Sequence, residues 1–89
     1  MKLLKETDKA IQVEIEAKAI NPDQETTLID WIPKSALLQD FKAGDTELVI
    51  KDWKFEEIRK IVKNRFNINF FNDKVRTFEI VGLSTVEEN

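Results

Sequence analysis

AIQVEIEAKA, residues 10–19, is the stretch that decides the fold, because apolar and polar residues alternate along its whole length. A period of two directs alternate side chains to opposite faces of a β-strand, so one face is buried and the other meets solvent. The turn-forming residues Asn21, Pro22 and Asp23 follow, and residues 26–32 are rich in β-branched side chains. The two segments therefore predict a β-hairpin closed by a loop of about four or five residues.

The rest of the chain predicts one helix, three further strands and two loose ends. Asp52 is the expected N-cap of a helix over 53–66, where apolar residues recur at spacings of three and four. Glu56 and Lys60 are spaced on it as an i,i+4 ion pair. The other expected segments are a loose, flexible arm over 1–8, a helical turn over 36–39 capped by Ser35, a turn at 42–45, strands over 47–51, 67–71 and 75–83, a turn at Asn72 and Asp73, and a flexible end over 84–89.

These elements in the order β-β-β-α-β-β predict an α+β fold. With a single helix, the expected arrangement is a small twisted antiparallel sheet of four to five strands with the amphipathic helix packed on one face. The length of 89 residues fits one domain over 1–89.

The absence of cysteine and histidine excludes several classes of site. Thiolate or imidazole zinc sites, Cys–His and Ser–His nucleophilic pairs, and disulfides cannot form. The carboxylate pairs are expected on solvent-exposed surface, where nothing shifts the pKa of a carboxyl group toward catalytic use. We therefore expect a protein that is not an enzyme and has no catalytic residue, no metal site and no cofactor.

The location of the protein is expected to be cytoplasmic and away from membranes. The apolar stretch near the start is only Leu3-Leu4, far shorter than a signal peptide needs. No segment approaches the roughly 18 apolar residues of a membrane span.

An acidic strip on the first hairpin is the first candidate binding surface. The net charge of the chain is −3, which does not favour nucleic acid through the overall field. An acidic, rigid domain can instead occupy a cationic surface on a protein partner. The residues expected to form this partner-binding strip are Glu14, Glu16, Asp23 and Glu25.

The predicted helix and the last hairpin offer an alternative, which is binding of single-stranded nucleic acid. Residues 54–65 carry five cationic against two anionic side chains, although a solvated helix face is the plainer interpretation. Phe70 and Phe71 would lie on opposite sides of a strand, so that an exposed one could stack on a base or contact a protein. The residues of this alternative site are Arg59, Lys60, Lys63, Arg65, Phe71 and Arg76.

Trp31 precedes a strand-ending proline in the segment Trp31-Ile32-Pro33-Lys34-Ser35. We expect a structural role, with the indole buried beneath Leu37 and Leu38, because a large ring gains most from burial.

The same W-I-P-K-S segment carries a resemblance to a group of small proteins encoded by bacteriophages and other mobile elements. In those proteins a short β-hairpin runs into W-I-P-K-S, and a strand followed by Trp comes later. The matching residues are 10–15, 31–35 and 47–53, about half the chain. The hairpin loop here is longer, and the helix and the last hairpin have no counterpart. That group has no firm biochemical function, so the resemblance implies a mobile-element origin and nothing finer. Together with the small size, acidity and rigidity of the chain, it motivates the hypothesis of a protein-binding inhibitor of a host enzyme or defence complex.

Overall fold

A computed structural model of the chain describes residues 1–19, 23–70 and 78–86. These residues form one α-helix and six strands in two sheets, so the predicted α+β class is confirmed. The elements are β1 (Lys2–Glu6), β2 (Ala10–Ala19), β3 (Gln24–Pro33), a 3₁₀ turn (Lys34–Ala36), β4 (Leu48–Ile50), α1 (Asp52–Phe70), β5 (Phe78–Val81) and β6 (Leu83–Thr85).

The larger sheet is antiparallel and has β2 at its centre. β3 pairs along the whole of one edge of β2, from Ala10 opposite Pro33 to Ala19 opposite Gln24. The other edge is shared end to end, because β1 pairs with the first half of β2 and β5 with the second half. The predicted β2–β3 hairpin is thus confirmed, although residues 20–22 of its loop lie outside the described residues.

The N-terminal segment was expected to be a loose arm, and this is wrong for Lys2–Glu6, which form β1. Only Leu3 of this strand packs against the core, and the pairing with β2 is interrupted by an irregularity between Leu3 and Lys5. Because β1 has a single inward apolar residue, its sequence shows no alternation of apolar and polar residues. At the other end, Ser84 and Thr85 lie in β6 and are not frayed, whereas 87–89 lie outside the described residues.

The second sheet, of β4 and β6, was not predicted. The two strands are parallel, with Leu48 opposite Leu83, because α1 lies between them in sequence and supplies the long crossover that parallel pairing requires. Gly82 separates β5 from β6 at a φ of +78°, and an added Cβ would collide with the Thr46 carbonyl oxygen. The expected strand over 75–83 is therefore broken at Gly82, and residues 75–77 lie outside the described residues.

The helix is longer than expected. It begins at Asp52 and runs to Phe70, so the strand predicted over 67–71 is wrong as far as Phe70, while Phe71 lies outside the described residues, as do Asn72 and Asp73. The aromatic and β-branched content of 67–70 favours a strand locally, but the helix overrides this preference. Glu56 pairs with Arg59, at 3.8 Å, and not with Lys60.

The turn after β3 also differs from expectation. The helical turn is a 3₁₀ turn over Lys34–Ala36 and not 36–39, and it has Pro33 at its N-cap position without any side-chain cap, so Ser35 caps nothing. The predicted turn at 42–45 is confirmed, because the Lys42 N–H donates to Asp45 Oδ2 and the Asp45 N–H to the Lys42 carbonyl oxygen.

The core lies between the larger sheet and α1. The inward side chains of β2 alternate as the sequence predicted, and the helix presents its buried stripe to the core. The buried residues of β2 and α1 in this core are Ile11, Val13, Ile15, Ala17, Ala19, Ile58, Val62 and Phe66. The molecule is only 17 Å thick along its shortest axis, as two layers require. One face of the larger sheet is consequently left without a covering element among the described residues.

Candidate functional site

Trp31 lies on the outward face of the sheet, and the expectation that it is buried is wrong. Its side chain is 41% exposed, whereas Ile32 is fully buried and Leu28 nearly so. Because α1 covers the face that carries Leu28 and Ile32, the period of two places Trp31 and Ile29 on the opposite, open face. Leu37 forms an isolated backbone bridge with Ile50, and Leu38 is itself 40% exposed.

Ile29 and Trp31, with Gln12 and Glu14 opposite them on β2, form a surface that we call the outward patch. The pairing places Gln12 opposite Trp31 and Glu14 opposite Ile29. Ile29 is 57% exposed, so two large apolar side chains two residues apart stand side by side in solvent. Apolar side chains of this size in a row on an open sheet face are typical of contact surfaces.

The predicted acidic strip is partly brought together by this sheet. Glu14, Glu16 and Glu25 share the outward face with the outward patch, since all three occupy alternate positions of β2 and β3. Glu25 is partly compensated by Lys18, whose Nζ is 3.8 Å from Glu25 Oε1. Glu14 and Glu16 have no ion pair within the described part of the chain, and Asp23 is exposed just before β3. The carboxylates of the strip that remain available to a partner beside Ile29 and Trp31 are therefore Glu14 and Glu16.

A groove lies beyond the end of β3, next to the same segment. The Lys34 Nζ donates to Glu6 Oε2 at 3.0 Å across one wall, and Leu37, Leu38 and Phe41 line another part of the groove. The groove has a volume of about 510 Å³ and is open to solvent. It carries charges of both signs, so it offers no single charge preference to a ligand.

Lys54 was not among the candidate site residues predicted from the sequence. Its side chain is almost fully buried, and its Nζ lies 3.2 Å from Asp30 Oδ2 and 3.5 Å from Glu57 Oε1. The contact with Asp30 has the distance of an ion pair without the directed geometry of a hydrogen bond. The one available signal is that Asp30 shares the inward face with Leu28 and Ile32, where a carboxylate requires a cationic partner.

The basic residues of the predicted nucleic-acid site that the structure describes are all exposed on α1, and two of them contact other groups of the chain. Arg65 donates to the Thr27 carbonyl oxygen, and Arg59 contacts Glu56 and lies 5.9 Å from the centre of the Phe78 ring. Lys60 and Lys63 are exposed on α1. Phe71 and Arg76 lie outside the described residues, so the part of the alternative site on the last hairpin is not described.

No three acidic side chains among residues 1–19, 23–70 and 78–86 are grouped so as to hold a metal ion. Across the same residues, no helix is both long enough and apolar enough to cross a membrane. Searches against protein-family models, curated proteins and solved structures found no match to this chain.

Proposed function

We propose that this protein is a non-catalytic protein-binding module that binds its partner through the outward patch. The observation that carries the proposal is the joint exposure of Ile29 and Trp31 on a sheet face that no described element covers. Tryptophan is among the residues that contribute most to protein interfaces, because it brings a large apolar surface at a low cost in conformational entropy.

The rigidity of the patch supports this role. Ile29 and Trp31 lie on a ten-residue strand that is paired with β2 at every position. The inward neighbours of the two residues are buried against α1, so the backbone below the patch is fixed. A surface held in its binding conformation before contact loses less entropy when the partner arrives.

The charges around the patch indicate the kind of partner. Glu14 lies directly opposite Ile29, and Glu16 follows it on the same face, both without ion-pair partners among the described residues. A partner that places an apolar side chain on the patch and lysine or arginine beside it would satisfy both features. The resemblance of the W-I-P-K-S segment to phage proteins supports a host target, and in that setting the module would act as an inhibitor of a host enzyme or defence complex.

The proposal is tested by capture of partners from a lysate of the cells that encode the protein. The immobilised parent is compared with Ile29→Glu and Trp31→Glu, and with the control Trp53→Glu, since Trp53 is 54% exposed on α1, away from the sheet face. Circular dichroism verifies that all variants fold. We expect a protein that the parent and Trp53→Glu both capture and that neither patch variant retains.

Two results would contradict the proposal. Capture that survives both patch substitutions would place binding elsewhere on the molecule. A titration with single-stranded DNA or RNA showing affinity that falls steeply with salt, together with no captured protein, would favour the nucleic-acid alternative.

A further inference from the structure

The backbone edge of β3 that faces away from β2 is a separate feature from the outward patch. Among the described residues β3 pairs only with β2, so its other edge has no strand beside it. The Lys34 N–H donates to the Lys9 carbonyl oxygen at 2.8 Å, in register with the hairpin. Because backbone groups in an antiparallel strand alternate in direction, even-numbered positions point to β2 and odd-numbered ones to the open edge.

Two backbone groups on this edge are occupied by the side chains of the chain itself. The Trp31 N–H donates to Asp30 Oδ1 at 2.9 Å, and the Thr27 carbonyl oxygen accepts from Arg65 Nη1 at 3.3 Å. Asp30 is in turn fixed by the ion pair with the buried Lys54 of α1. An open edge strand is a template for pairing with other chains, and native proteins cover such edges with charged side chains.

The two occupied groups are complementary to each other. Thr27 and Trp31 are each two residues from Ile29 on the same edge. If β3 met β3 of a second copy antiparallel about a two-fold axis at Ile29, Thr27 of one copy would lie opposite Trp31 of the other. The Trp31 N–H would then donate to the Thr27 carbonyl oxygen across the axis, replacing Asp30 and Arg65 as partners.

We propose that the edge of β3 is a strand-pairing site for a second copy of this chain, held closed by Arg65 and Asp30. Arg65 is the removable part of the closure, because it is exposed and makes a single contact with the edge, whereas Asp30 is anchored by Lys54. The inference stands apart from the proposed function, since it concerns the backbone edge of β3 and not the side chains of its outward face.

The test compares self-association of Arg65→Ala with that of the parent and of Lys63→Ala, by sedimentation equilibrium. Lys63→Ala is the matched control, since it removes an exposed cation from the same helix without touching β3. We expect the dimer association constant of Arg65→Ala to be at least ten-fold higher than that of the parent and that of Lys63→Ala. Adding Thr27→Pro should abolish the increase, because proline removes an edge N–H outside the outward patch without disturbing the pairing with β2.

Two outcomes would overturn the inference. Association that persists in the variant carrying both Arg65→Ala and Thr27→Pro would place the contact elsewhere on the molecule. Equal self-association of Arg65→Ala and Lys63→Ala would show that Arg65 closes nothing.

Hydrogen exchange in the parent provides a test that needs no variant to fold. The Trp31 amide should exchange at least ten-fold more slowly than the Ile29 amide, since the first is donated to Asp30 and the second faces solvent on the same edge. Equal exchange of the two amides would mean that the edge is not closed at Trp31, which would also overturn the inference.

Discussion

The inward and outward faces of the larger sheet are made from alternate residues of the same strands, yet they have opposite roles. On β3, Leu28 and Ile32 are buried beneath α1, while Ile29 and Trp31 are exposed to solvent. The sequence of β3 is apolar on both sides, so residue type alone does not decide which face is core. The position of the single helix decides it, and the apolar side chains left on the other face become available for binding.

The strongest test of this comparison substitutes the same residue type on the two faces of one strand. Ile32→Ala should lower the free energy of unfolding by about 2–5 kcal/mol, because it opens a cavity in the core. Ile29→Ala should lower it by about 1 kcal/mol or less, chiefly through reduced strand propensity. Urea denaturation followed by circular dichroism measures both. Similar losses from the two variants would mean that the outward face is covered in solution.

The ion pair between Lys54 and Asp30 lies on the inward side of the sheet, and its two partners should respond unequally to substitution. Asp30→Ala should lower the free energy of unfolding by about 2 kcal/mol. This is less than the roughly 3–5 kcal/mol lost when a fully buried ion pair is broken, because Asp30 is partly exposed and Glu57 remains near Lys54. Lys54→Met should lower the free energy of unfolding by more than Asp30→Ala does, because it leaves the inward-facing Asp30 carboxylate without its cationic partner, whereas Lys54 keeps Glu57 when Asp30 is removed. The comparison uses urea midpoints, and a smaller loss for Lys54→Met than for Asp30→Ala would contradict this assignment of the buried charge.

Trp31→Ala sharpens the comparison for an aromatic residue. At 41% exposure the indole has only part of its surface to lose, so we expect a loss of about 1–2 kcal/mol, against roughly 3–5 kcal/mol for a fully buried aromatic. Partner binding should fall far more than stability does. Thermal melting and partner capture on the same sample separate the two effects, and a variant unfolded at 37 °C would return Trp31 to a structural role.

The smallest effect on stability is expected at the carboxylates of the outward face. Glu14→Lys with Glu16→Lys should change the free energy of unfolding by about 0.5 kcal/mol, with Lys2 opposite Glu14 providing the main new repulsion. Association with a cationic partner should slow about ten-fold at low salt and much less at high salt. Stopped-flow or surface-based kinetics at two salt concentrations measures this, with Glu47→Lys as the exposed control. If the control variant slows association equally, the change in net charge and not the position of Glu14 and Glu16 would explain the slower association.

Much of the fold could be predicted because the apolar residues of β2 recur at every second position and those at the start of α1 recur at spacings of three and four. The alternation along β3 also placed Ile29 and Trp31 correctly on the face opposite to that of Leu28 and Ile32. It did not indicate which of the two faces packs against the helix. The size of the indole favoured burial, and that choice was wrong. In the candidate site, alternation predicted the outward position of Glu14 and Glu16, whereas Glu25 was expected in the hairpin loop and lies in β3, and Ile29 was not singled out.

The elements that the sequence did not reveal have short or misleading local patterns or depend on long-range contacts. β1 carries too short a pattern, and β6 is three residues long and pairs with β4 across the whole of α1. The helix beyond Phe66 contradicts its local preference for strand. The burial of Lys54 depends on Asp30, which lies on another element.

The central place of β2 has a consequence for how the chain folds. Its pairings with β1 and β3 are between neighbours in sequence, whereas those of β5 with β2 and of β6 with β4 need α1 to be in place between them. Contacts between distant residues form more slowly, so we expect the meander of β1, β2 and β3 to assemble first. During synthesis that meander leaves the ribosome before α1 does, with Ile11, Val13 and Ile15 still uncovered. The nascent chain is therefore most prone to aggregation in the interval before residues 52–66 emerge.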